Sequence, residues 1–236
     1  MKLSASDTSL SWMPLVHDMG LIVFHLAPVA ARANHYLMPV SIFTSRPFKW
    51  LDKVSQYRVS ILGSPDFGLR LFQAVFNPKK EYHWDLSSVR LIFNGAEPIH
   101  HDVCREFTEA LRPYKLKPNV MFPVYGLAEA SLAVTFPAPD QPLGTVSVDR
   151  HLLFPGSPVK ILDNPGTGDE HSVSFVDVGK PVTGCRVRIA DSLGKPLDAG
   201  FLGRIHIRGD NVTRSYYNAP GITGTIISKD GWLDTG

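Results

Sequence analysis

Cysteine is scarce in this chain. Its two thiols, Cys104 and Cys185, have neither a C-x-x-C partner nor histidines at ligand spacing, which argues against a disulfide framework or a zinc site and points to a reducing cytoplasm. Long apolar runs are lacking too. The longest, Gly20 to Ala31, is interrupted by His25 and Pro28 and falls short of the ~20 residues that cross a bilayer, so no transmembrane segment is expected. Charge of one sign is also missing: 24 Lys and Arg stand against 22 Asp and Glu for a net +2, scattered along the chain. A nucleic-acid partner therefore gets no support. No charged segment followed by an apolar one opens the sequence, so the sequon Asn211-Val212-Thr213 is read as structural.

What is present is the composition of a globular protein, 44% hydrophobic and 19% charged over 236 residues, enough for one sizeable core or two smaller ones. Up to residue 136 short apolar runs alternate with helical patterns. Val59–Leu62, Val89–Phe93 and Val120–Tyr125 read as buried strands, the first two closed by Gly and Pro. Trp50, Leu51, Val54 and Tyr57 form one apolar helical face behind Pro47, and Val103, Phe107, Ala110 and Leu111 form another. A third helix is expected from Gly126 through Leu127, Ala130, Ser131 and Val134. The fold class is α/β, a mostly parallel sheet flanked by helices. Beyond Phe136 the helical period stops and prolines, among them Pro137, Pro155, Pro165 and Pro181, punctuate short strand-like runs. Val187–Ile189 and Arg204–Ile207 then alternate around Gly-rich turns, so a β-rich subdomain follows. The expected organisation is an α/β subdomain at 1–136, an insertion at 137–176 and a β-rich subdomain at 177–236.

In open α/β sheets ligands bind beyond the carboxyl ends of the strands. Three strand exits carry candidate chemistry. Trp12-Met13-Pro14-Leu15-Val16-His17-Asp18-Met19-Gly20 holds a His–Asp neighbour pair able to position a carboxylate, although a lone histidine there is more often structural. Asn94-Gly95-Ala96-Glu97-Pro98 would let a ring or phosphate approach its backbone, and taken alone is equally a plain turn. Tyr125-Gly126-Leu127-Ala128-Glu129 offers an aromatic for stacking and a carboxylate for Mg²⁺; in isolation, Tyr125 as core and Glu129 as a helix-dipole partner would be the better reading. Together the turns favour the functional reading.

These turns, in this order, resemble the adenylate-forming superfamily of acyl-CoA synthetases, fatty acyl-AMP ligases, luciferases and the adenylation domains of nonribosomal peptide synthetases. The resemblance implies that His17 faces the reacting groups, that Gly95, Ala96 and Glu97 with Tyr125 and Gly126 seat adenine, and that Glu129 binds Mg²⁺ against the phosphates of ATP. Tyr125–Ala130 is its most specific element. Gly203–Gly209 and Asp230–Gly236 are similar to two later motifs of the same family. The wording of HDMGLI, NGAEP and YGLAEA is closest to fatty acyl-AMP ligases, and the 50 positions from Glu129 to Gly179 resemble the insertion of that branch. A surface excursion is the plainer account of that length. Ser64, Pro65 and Phe67 fall where the resemblance puts the acyl tunnel. It implies a fatty acid as substrate and the phosphopantetheine thiol of an acyl carrier protein as acceptor, as in polyketide and nonribosomal peptide biosynthesis.

The sequence also departs from the pattern. The family's phosphate loop belongs upstream of Met1-Lys2-Leu3-Ser4, and the ribose-binding aspartate and mobile C-terminal domain belong beyond Gly236, so the isolated chain is expected to be inactive. Arg214 and Ser215 stand where the family has small residues and a glycine before Tyr216. An acyl-CoA synthetase fragment and a non-catalytic acyl- and nucleotide-binding module are the competing readings.

Overall fold

Ile61-Leu62-Gly63 and Leu91-Ile92-Phe93-Asn94 are buried along their whole length, the burial expected of parallel strands covered on both faces. In the computed structural model, which describes residues 3–163 and 169–236, they are the centre of a five-stranded parallel sheet. The expectations for Met1 and Lys2 and for Pro165 lie outside the described residues. The chain divides into two units: Met1–Tyr125, Phe136–Gly144 and Val176–Gly179 form the first, and Gly126–Thr135, Thr145–Phe175 and Lys180–Gly236 the second.

In the first unit, β1 (Thr8–Ser11) leads to a π-helical stretch, Met19–Leu26, that continues into α1 (Ala27–Ala31). β2 (Asn34–Leu37), α2 (Val40–Ser45), α3 (Phe48–Gln56), β3 (Ile61–Gly63), α4 (Asp66–Val75), β4 (Leu91–Asn94), α5 (His101–Leu111) and β5 (Met121–Pro123) follow. The strand order is β2-β1-β3-β4-β5, all neighbours parallel, with Leu10 opposite Leu62, Leu62 opposite Ile92 and Phe93 opposite Phe122. The α3 face buries Trp50, Leu51 and Val54, and α5 buries Val103, Cys104, Phe107 and Leu111, the i, i+1, i+4 spacing of a helix lying on a sheet. Phe72 of α4 joins them, its ring 5.4 Å from Phe107 and 5.7 Å from Phe48. This helix was not anticipated, although Leu69 and Phe72 keep its period.

At the amino-terminal end of the sheet Asp7 accepts two hydrogen bonds from Arg90, at 2.7 and 2.9 Å, and others from the Ser60 hydroxyl and the Ser4 N–H. Burial alone raises this carboxyl. The hydrogen bonds and the Arg90 charge outweigh it and lower the pKa from 3.8 to about 2. A depressed folded-state pKa contributes stability that is present above pH 3.8 and lost as pH falls through about 2, here worth about 2 kcal/mol. Asp7→Asn is expected to lower the urea midpoint at neutral pH, and the gap to the parent to close as pH approaches 2; a gap independent of pH would contradict this.

The second unit, with the end residues Tyr125, Phe136 and Val176 counted to the first, is built on β6 (Tyr125–Leu127), β7 (Leu132–Phe136), β8 (Thr145–Asp149), β9 (Ser172–Val176), β10 (Lys180–Pro181), β11 (Cys185–Ala190), β12 (Arg204–Gly209), α6 (Pro220–Ile226) and β13 (Leu233–Asp234), whose strands form three small sheets ordered β10-β7-β6, β11-β12-β13 and β8-β9. β11 and β12 are antiparallel, from Cys185 opposite Gly209 to Ala190 opposite Arg204, as the alternation predicts. The helix expected from Gly126 does not form. A single 3₁₀ turn, Ala128–Ala130, is ended by Ser131 and Leu132 at φ 51° and 97°, and the chain returns as β7 beside β6. Gly126 permits that return because a Cβ there would overlap the Leu132 carbonyl. The β-branched pair Val134 and Thr135, both buried, favours the strand.

Candidate active site

The strand exits of the first unit gather most of the residues singled out in the sequence. After β1 the Met13 N–H donates to the Ser11 hydroxyl at 2.9 Å, and Trp12 turns inward to stack on Phe43, centroids 4.0 Å apart and planes within 2°. The loop closes because Gly20 has no side chain: a Cβ would strike the Pro14 carbonyl, which accepts from the His17 N–H at 3.0 Å. The His17 ring is pinned at Nδ1, where the Met19 N–H donates at 3.1 Å and an Asp18 carboxylate oxygen lies 2.9 Å away. Both contacts fall on Nδ1, which leaves Nε2 as the ring nitrogen turned to a ligand.

His17 lines a cavity of about 320 Å³ with Trp12, Met13, Pro14, Val40, Pro65, Phe67, Ala96 and Glu97. Five of the anticipated residues thus meet at one place: His17, Pro65, Phe67, Ala96 and Glu97. Seven of the nine lining residues are apolar, at strand exits and helix starts, while His17 and Glu97 are its ionisable groups. Phe67 sets its ring edge-on to Trp12, 5.5 Å between centroids. Ser64 is wholly buried beside the cavity, and its hydroxyl donates to the Pro65 carbonyl at 2.9 Å. Glu97 accepts the Phe67 N–H at 2.7 Å, so the turn after β4 caps the first turn of α4.

A second carboxylate holds the same turn from below. Asp66, 2% exposed, accepts from the Asn94 amide at 2.8 Å, from the His100 N–H at 2.9 Å and from His100 Nδ1 at 2.8 Å. It thereby ties the end of β4 and the start of α5 to α4. Gly95 follows Asn94 directly, and Ala96 takes a left-handed φ of 71°. The Val124 N–H donates to the Asn94 carbonyl at 2.8 Å, which keeps the residue preceding Tyr125 beside this turn. Tyr125 itself is half-buried.

Gly126 and Glu129 belong to the second unit. There the Glu129 carboxylate accepts the Tyr216 hydroxyl at 2.9 Å, and its backbone carbonyl accepts the Thr213 N–H at 2.7 Å. The hydrogen bond to Glu129, then burial, raise the Tyr216 pKa. Asn211 donates through its amide nitrogen to the Ala130 and Ala133 carbonyls at 3.0 and 2.9 Å, so the nitrogen a glycan would need is spent in the fold. Tyr216 and Asn211 were not anticipated as partners of the Glu129 loop. Sequence separations of 87 and 81 residues leave no local signal for them.

Known proteins are similar to this chain over most or all of its length. A putative acyl-CoA synthetase of Caulobacter vibrioides is 30% identical over 236 residues, all of this chain and 41% of the relative. A medium-chain-fatty-acid–[acyl-carrier-protein] ligase of Teredinibacter turnerae is 30% identical over 219 residues, 92% of this chain and 33% of the relative. The crystal structure of a fatty acyl-adenylate ligase from L. pneumophila in complex with acyl adenylate and pyrophosphate superposes with a TM-score of 0.91 at 29% identity, covering 99% of this chain and 41% of that one. The chain thus spans a third to two fifths of the length of such relatives. Their likeness confirms the fold class expected from the sequence, a parallel sheet flanked by helices with antiparallel sheets besides. No helix among the described residues is long and apolar enough to cross a membrane. The family profile of the AMP-binding enzymes matches residues 1–217, and the chain belongs to that family.

Proposed function

We propose that this chain supplies the acyl- and adenine-binding part of an ATP-dependent ligase that activates a fatty acid as its acyl-adenylate and passes the acyl group to an acyl carrier protein. The observation that carries the reading is the apolar cavity with His17 at its wall, next to the turn that leads to Tyr125. The cavity takes the alkyl chain, worth about 0.8 kcal/mol per buried methylene. His17 orients one carboxylate oxygen while the other is aimed at the α-phosphorus of ATP. That attack displaces pyrophosphate and leaves the mixed anhydride, and the phosphopantetheine thiol of the carrier then takes the acyl group. Such chemistry rests on positioning and charge stabilisation. Gly95, Ala96, Glu97, Tyr125 and Gly126 seat adenine, Tyr125 by stacking, and Glu97 also holds Phe67 at the cavity wall.

Mg²⁺ takes one or two carboxylates with phosphate oxygens and waters. Glu129 fits such a role: Tyr216 occupies one oxygen and leaves the other without a protein donor among the described residues. Bound there, Mg²⁺ supplies charge neutralisation on the phosphates. Tyr216 keeps the Glu129 carboxylate oriented. The relatives named as a fatty-acid–carrier-protein ligase and a fatty acyl-adenylate ligase support the fatty acid and the carrier as substrate and acceptor. We read 137–176, of which 164–168 lie outside the described residues, as the insertion of this branch, between an α/β part at 1–136 and a β-rich part at 177–236; the strands β8 and β9 that it contributes support this. A cytoplasmic setting suits Cys104 and Cys185, both free and buried.

Exchange of labelled pyrophosphate into ATP by the full-length protein is expected to require a medium- or long-chain fatty acid, and the acyl group to move to a carrier protein and not to CoA. Exchange driven by amino acids alone, or by no acid, would contradict the reading.

A further inference from the structure

In the sheet β11-β12-β13, Arg186 and Arg208 are direct cross-strand partners. Side chains so placed stand about 5 Å apart at Cβ, and like charges there destabilise a sheet. The usual remedy is a carboxylate between them. Among the described residues neither arginine forms an ion pair, although Arg204 at the other end of β12 is paired with Asp234 at 2.8 Å. The pair opens onto a cavity of about 670 Å³ in the second unit, which Arg214 and Lys229 also line. Neither of those cations has an ion-pair partner among the described residues. Asp210 is the one carboxylate on the wall, and Asp230, between the lining residues Lys229 and Gly231, interacts with Arg208 electrostatically. Four positive groups stand against two negative ones in a recess formed by the start of β11, the loop after β12 and the turn beyond α6. Arg214 is also where the sequence departs from the small residues that the family pattern carries.

We propose that this recess is an anion site that takes a phosphate group, with Arg186 and Arg208 gripping it from the two strands and Arg214 closing over it. Guanidinium forks match phosphate oxygens in pairs, and a dianion between the arginines converts their repulsion into mutual attraction to the ligand. Nothing in the proposed ligation requires this phosphate, although Thr213, which lines the recess, also donates its N–H to the Glu129 carbonyl at 2.7 Å.

Thermal unfolding of the chain in chloride buffer at constant ionic strength, titrated with inorganic phosphate, tests the assignment. The parent is expected to show a saturable rise in Tm. Arg186→Gln and Arg208→Gln are expected to begin with a higher Tm than the parent, because the repulsion is gone, and to need about tenfold more phosphate for the same rise. Arg214→Gln, in a loop outside the strand pairing, is expected to lose phosphate response without the higher starting Tm. Glycerol phosphate acting at lower concentration than inorganic phosphate would assign a phosphate monoester, and equal action free phosphate. An absent or unsaturable rise in the parent, or variants that respond as the parent does, would overturn the site.

Discussion

Asp66→Ala is expected to lower the unfolding free energy by about 3–5 kcal/mol, the scale for breaking a buried, hydrogen-bonded charge out of its network. The carboxylate is 2% exposed and accepts three hydrogen bonds, from the Asn94 amide and from the His100 N–H and Nδ1. Alanine leaves the Asn94 amide buried without that acceptor and unties β4, α4 and α5 from one another at the end of the sheet where the cavity lies. Set against a typical margin of about 5–15 kcal/mol, the loss is a large share of the whole. Asp66→Asn keeps an acceptor oxygen and should fall between the two. Urea unfolding followed by tryptophan fluorescence reads the change, and a midpoint within error of the parent would show that the network contributes little. Because Asp66 also places Glu97 and Phe67 relative to each other, the alanine variant should bind acyl ligands more weakly even where it is folded.

Local patterns carried much of the architecture. The buried parallel strands were legible in Val59–Leu62 and Val89–Phe93 because parallel strands covered on both faces need no polar alternation, and α3 and α5 because their apolar residues recur with helical spacing. The stretch after Gly126 misled, since Leu127, Ala130 and Val134 fit a helical period. Left-handed backbone at Ser131 and Leu132 and sheet pairing override that preference. α4 leaves a weaker trace, because Ser64-Pro65-Asp66-Phe67 reads as a strand exit and only Leu69 and Phe72 beyond it keep a helical period. At the site, the strand-exit positions of His17, Gly95–Glu97 and Tyr125 followed from the rule for open sheets. The groups that hold them did not. Asp66 reaches Asn94 and His100 across 28 and 34 residues, Glu97 reaches Phe67 across 30, and Tyr216 reaches Glu129 across 87. Such pairs are made by the fold and leave no periodic trace.

The adenine seat carries the second large effect. An aromatic platform under a base is worth about 1–3 kcal/mol by alanine substitution, so Tyr125→Ala should weaken binding of an acyl-adenylate by about 10- to 100-fold. The residue is half-buried at a strand end, where truncation removes a contact face without opening the core formed by Trp50, Phe72 and Phe107. The measurement that tests the account most directly is therefore calorimetric titration of this chain with a non-hydrolysable acyl-adenylate analogue, beside its Tyr125→Ala variant. Saturable binding by the parent that weakens by at least tenfold in the variant is the predicted result; a folded parent that does not bind, or a variant that binds as tightly as the parent, would contradict the assignment of this chain as the acyl- and adenine-binding part of a ligase.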